Sequence, residues 1–107
     1  MRLEDNARAT ITNSRASNNT LNGYVLFPTT VASTMNIDNS TAANNRQWGV
    51  ISITSGAATG TTRISNMEIT DNVVGGLQTF GGGQICSNGK NRITEPTIAP
   101  NCVFTEQ

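Results

Sequence analysis

Groups able to do acid–base or nucleophilic chemistry are sparse in this sequence. There is no His, which removes His-based catalysis, a Ser-His-Asp triad and any His-bearing metal site. Of the seven acidic residues, only Asp38, Glu68 and Asp71 lie in the middle of the chain, and the only adjacent carboxylates are Glu4 and Asp5. Proton abstraction beside a carboxylate needs a cation and a strong base, and glycoside hydrolysis needs two carboxylates at a set distance. Asp38 and Arg63, with Arg15 and Glu68 nearby, read as a charge pair between neighbouring layers, so no catalytic residue, metal ligand or cofactor is assigned. Gly81-Gly82-Gly83 lacks the following Lys and helix of a phosphate loop. Cys86 and Cys102 are the only cysteines. As a disulfide they would clasp the C-terminal tail for about 3 kcal/mol and favour an extracellular or periplasmic setting. The alternative is two reduced thiols, and two Cys without His make a poor metal site.

The elements that would position these groups are short strands. The 14 Asn, 16 Thr, 8 Ser and 10 Gly fill 48 of 107 positions, charged residues make up 13 %, and seven basic residues balance seven acidic ones. A net charge of zero gives no reason to expect nucleic acid or an acidic membrane as partner. No apolar run reaches the roughly 18 residues of a membrane span, and Met1 to Asn6 is not followed by the apolar core of a secretory signal. No window holds a 3.6-residue period, while Ile, Val and Thr recur in short runs, so an all-β chain is expected.

The strongest signal is an internal repeat. Segments starting at Thr10, Asn36 and Arg63 align without gaps. Ile11, Ile37 and Ile64 fall in register, as do Asn13, Asn39 and Asn66, then Asn19, Asn45 and Asn72, then Gly23, Gly49 and Gly76. Each column steps by 26 and then 27 residues. A unit this short holds two or three strands separated by Asn corners and cannot bury its own apolar face, but stacked units at about 4.8 Å make one continuous core. Asn suits the corners because it tolerates left-handed backbone, and stacked Asn can bond from layer to layer. A fourth, degenerate copy begins near Gln84.

The pattern Ile64-x-Asn66-x-x-Ile69-x-x-Asn72 resembles a coil of a right-handed parallel β-helix, the pectate-lyase-like fold. The segments from Gly81 to Ile85 and from Gly89 to Ile93 are similar to the last coils of bacterial β-helix repeat proteins. The resemblance spans roughly residues 8 to 95. It implies one domain over 1–107, a solenoid of three to four coils of about 26 residues, with 1–8 as an N-terminal extension and 85–107 as a last partial coil and tail. It implies little about activity, because such folds host lyases, hydrolases, adhesins and others. So short a stack exposes strand edges, which implies pairing with another chain or continuation into a longer protein. Residues 27–34 and 56–62 are expected as loops between coils.

In coils of the family it resembles, the residue after the Gly points inward, and strand alternation carries that choice along each strand. Tyr24, Val50 and Leu77 are expected inside, with Leu26, Ser52 and Thr79 two places on. Ile11, Ile37 and Ile64, Ser14, Ser40 and Met67, and Ala16, Ala42 and Ile69 are expected to line the other interior columns. Val25, Phe27, Ile51, Ile53 and Phe80 are then left facing outward. An apolar outer stripe is best explained by a partner, unless a loop folds over it or the register slips. Trp48, at a corner, is expected to cover the edge of the core. The sequence thus predicts a non-enzymatic scaffold or interaction module that self-associates. The alternative is a β-helix fragment that binds or degrades a polysaccharide.

Overall fold

The structure, a computed structural model, describes residues 1–54, 58–88 and 90–94 together with the backbone of Cys102–Val103. Strands follow one another as β1 (Arg2–Leu3), β2 (Arg8–Thr12), β3 (Arg15–Ser17), β4 (Tyr24–Leu26), β5 (Ser33–Asp38), β6 (Thr41–Ala43) and β7 (Trp48–Ile53). They continue as β8 (Gly60–Ser65), β9 (Glu68–Thr70), β10 (Gly75–Phe80), β11 (Gln84–Ser87), β12 (Arg92–Ile93) and β13 (Cys102–Val103). Every third strand returns to the same sheet as far as β12, and β13 then joins β11. Sheet A runs β1-β4-β7-β10, sheet B runs β13-β11-β8-β5-β2, and sheet C runs β12-β9-β6-β3. All pairings are parallel, and the chain coils as a β-solenoid of about three turns with no helix among the described residues.

The repeat columns are the ladder partners. Ile11 pairs with Ile37 and Ile37 with Ile64 in sheet B, and Tyr24 pairs with Val50 and Val50 with Leu77 in sheet A. Their side chains meet in one core with Leu26, Met35, Ala42, Met67, Ile69 and Ile85. Each large apolar side chain removed from water there contributes about 1.5–3 kcal/mol. Ser52 is fully buried and donates from its hydroxyl to the Gly60 carbonyl at 3.1 Å.

Three expectations shift. Ser33, Thr34 and residues 60–62 belong to strands β5 and β8 rather than loops, because ladder pairing extends both strands past where Gly and Thr suggest a break. Thr62 points into the core, fully buried. Thr79, near the end of β10, is only half-buried, and Ser14, in the first layer, is exposed.

The corners explain the Asn columns. Asn13, Asn39 and Asn66 turn the chain from sheet B to sheet C with φ of 50°, 49° and 50°, a region that Asn enters more readily than most residues. At the next corner the left-handed residues are Asn18, Asn44 and Asp71. Asn19, Asn45 and Asn72, one place later, turn inward as a ladder. Asn19 donates from its amide nitrogen Nδ2 to Asn45 Oδ1, and Asn45 donates likewise to Asn72 Oδ1, both at 2.8 Å. Backbone N–H groups of Asn19 and Asn45 reach the same oxygens at 3.2 and 3.1 Å. Asn45 and Asn72 also bond the carbonyls of Ala16 and Ala42 at 3.1 Å. The recurring Gly follows from this ladder. A Cβ on Gly49 would sit 2.7 Å from Ile69 Cγ2 and 2.9 Å from Asn72 Nδ2.

Candidate functional site

The outer faces of the three sheets differ in chemistry. Sheet B presents ladders of Arg8, Thr34, Thr61 and Gln84, then Thr10, Asn36 and Arg63, then Thr12, Asp38 and Ser65. Sheet C presents Arg15, Thr41, Glu68 and Arg92. Both are what a solvated face should carry. Sheet A instead presents Arg2, Val25, Ile51 and Gln78 in one column. In the next column Ile53 pairs with Phe80, with Phe27 following Leu26 on β4. Ile51 lies outside the interior cluster yet is only 5 % exposed. Val25, Phe27 and Ile53 are half-buried, and Phe80 is 51 % exposed.

A groove of about 280 Å³ opens on this face, between Met1, Arg2, Leu21, Val25, Phe27 and Ile53. The Arg2 guanidinium carbon lies 4.9 Å from the centre of the Phe27 ring, a cation–π contact. Its Nε also reaches Glu4 Oε1 at 2.9 Å on the exposed rim. Met1 and Leu21 are each 58 % exposed at the margin. Along this corner Leu21 is separated from Val74 by Gln47, which is exposed and polar. Gln47 donates its N–H to the Leu21 carbonyl, and Val74 donates to the Gln47 carbonyl. Val74 and Val73 are 50 % and 77 % exposed. Sequence reasoning missed Leu21 and Val74, which stand two places before a repeat Gly, because Gln47 at the same place in the middle copy breaks the column. Met1 and Arg2 reach the face through β1, in a segment read as an extension.

The groups weighed for chemistry are held apart. Asp38 Oδ1 accepts from Asn66 Nδ2 at 2.9 Å and from Ser65 Oγ at 2.8 Å, which together hold its carboxyl below the usual range. Arg63 stands opposite Asn36, two places along the strand from the partner of Asp38. The expected Asp38–Arg63 pairing is thus replaced by hydroxyl and amide donors. Glu68 is on sheet C and Asp71 in a corner. Among the described residues no group of three His, Cys, Asp or Glu could hold a metal. Cys86 is disulfide-bonded, and the backbone of Cys102 stands opposite it between β11 and β13; the Cys102 side chain lies outside the described residues. Trp48, half-buried, begins β7 opposite Gly75.

No family model matches the chain, and no curated protein or solved structure matches it either.

Proposed function

We propose that this chain is a non-catalytic interaction module that associates with a second copy of itself through the outer face of sheet A. One observation carries the reading. Two outer faces of the same solenoid are polar, while the third sets half-buried Val25, Phe27 and Ile53 along a groove and leaves Phe80 exposed opposite Ile53. Exposed apolar surface of this kind marks association sites. A second copy is favoured because the net charge is zero, so two copies meet without long-range repulsion. The coil pattern, with three sheets and Asn corners, supports placing the fold beside the right-handed, pectate-lyase-like β-helices. The catalytic variant of that kinship has less behind it, since Asp38 faces Ser65 and Asn66 rather than a second acid.

Light scattering after gel filtration tests the proposal. The expected mass is twice 11.3 kDa, falling to the single-chain value for Phe27→Asp and Ile53→Asp with an unchanged far-ultraviolet spectrum. A wild-type chain that stays monomeric at high concentration overturns it.

A further inference from the structure

The first six residues are held by few contacts, and five of the polar ones converge on one side chain. Strand β1 is only two residues long. Besides the ladder pairing of Arg2 with Val25 and Leu3 with Leu26, Val25 N–H donates to the Met1 carbonyl and Phe27 N–H to the Leu3 carbonyl, both at 2.8 Å. The Met1 ammonium adds a bond to the Gly23 carbonyl at 2.8 Å. Arg2 lies over Phe27, and Leu3 packs half-buried against the core. The corner that follows is tied down by Asp5. Its carboxylate accepts from three successive backbone N–H groups, those of Thr29, Thr30 and Val31. It also accepts from the hydroxyls of Thr29 and Thr30, at 2.7 and 2.9 Å. Successive N–H groups closing on one anion form a nest, here filled by the chain's own exposed carboxylate. Two further ties are the Asn6 N–H, which donates to the Val31 carbonyl at 3.5 Å, and the Ser33 hydroxyl, which donates to the Glu4 carbonyl and accepts from Ala7 N–H.

We infer that residues 1–6 are a displaceable strap, latched by Asp5 in the 29–31 nest, that closes one wall of the sheet A groove and covers the edge of β4. The inference rests on the self-association reading above. Segments with few buried contacts open locally, well below the global unfolding free energy. When this one lifts, the groove loses Met1 and Arg2 as a wall, the Phe27 ring loses its guanidinium cover, and the N–H groups of Val25 and Phe27 lose their acceptors. An apolar groove and a free strand edge are then offered on the same face, a combination suited to strand pairing between chains. The latch therefore sets how much of the association face is available.

Asp5→Ala removes the latch. The Thr29→Val, Thr30→Val double variant removes only the two hydroxyl donors and keeps the nest N–H groups. Amide exchange followed by nuclear magnetic resonance reads the strap at Val25 and Phe27, with Asn45 and Thr54, bonded within deeper layers, as controls. Light scattering at matched concentrations reads association. Expected for Asp5→Ala is at least tenfold faster exchange at Val25 and Phe27, unchanged controls and a larger associated fraction, with a smaller change in the double variant. Unchanged protection at Val25 and Phe27 overturns the latch, and equal loss at all four amides shows a fold contact in place of a local strap. Faster local exchange without more association overturns the gating. If the wild-type chain also stays monomeric, the self-association reading falls too, while the exchange data still decide the strap.

Discussion

Asn performs two separate tasks in this chain, and substitution separates them. At Asn13 the main demand is a left-handed backbone on an exposed corner, where Oδ1 also accepts from Asn39 Nδ2. Asn13→Gly is expected to be near neutral, and Asn13→Ala to cost about 1 kcal/mol, the steric penalty of that region. At Asn45 the demand is chemical. The side chain is fully buried, accepts from Asn19 and donates to Asn72 and to the Ala16 carbonyl. Asn45→Ala strands donors and an acceptor together, at an expected cost of about 3 kcal/mol or more. Urea denaturation of the three variants checks the order. Asp5 adds a pH signature. The N–H of Thr30 and the hydroxyl and N–H of Thr29 lower its pKa well below the ordinary 3.8. A depressed folded pKa gives stability that is complete above the unfolded value and is lost as pH falls through the folded one. The urea midpoint should therefore fall as pH is lowered below about 4, less steeply in Asp5→Asn. An equally steep fall in that variant would assign the acid sensitivity elsewhere, with Asp38, also depressed, the next group to replace.

At the scale of the strand and its corner, the repeat Gly is a packing residue. Gly49→Ala drives a methyl into Ile69 and Asn72 and is expected to cost roughly 2 kcal/mol, as overpacking does. Gly82, with φ of 91° and nothing within 4 Å of a built Cβ, should cost only its backbone term, about 1 kcal/mol. Thermal midpoints compare the two. This also bears on what could be read beforehand. The columns Ile11–Ile37–Ile64 and Tyr24–Val50–Leu77 were legible because a stacked coil puts equivalent residues in contact, so periodicity in sequence becomes adjacency in space. The division of labour among the Asn was not legible. Asn18 and Asn19 have the same composition, and only the path of the corner decides which turns the backbone and which turns inward. The ends of β5 and β8 were obscured for a related reason. Thr61 and Thr62 look like loop residues until a neighbouring strand supplies their ladder partners. The outward turn of Val25, Phe27, Ile53 and Phe80 was legible once the coil resemblance had chosen the inward face; the near-complete burial of Ile51 was not, nor was the rim from Arg2 and Met1, because two residues are too few to show a strand period.

Across the whole molecule, the solenoid divides its outer surface into two wet faces and one apolar one, and association is expected to follow that division. Phe80→Asp, on the exposed part of sheet A, should weaken dimers in light scattering, whereas Thr10→Asp on sheet B should leave them unchanged; an equal effect from both would detach association from sheet A. The three corners of each coil divide differently. From sheet B to C and from C to A the path is fixed by Asn columns that bond from layer to layer. From sheet A to B it varies. Phe27 to Thr34 spans seven positions, Ile53 to Thr61 eight, and Phe80 to Gln84 four, between residues that hold equivalent register. The single-residue stretch of the repeat and the shortened fourth copy both arise there. This corner is the solenoid's tolerant seam. Extra sequence spliced into it, away from the 29–31 nest and from Gly81 and Gly83, which pack on the Ser52–Thr54 backbone, would project outward without disturbing the stacking of the layers above and below.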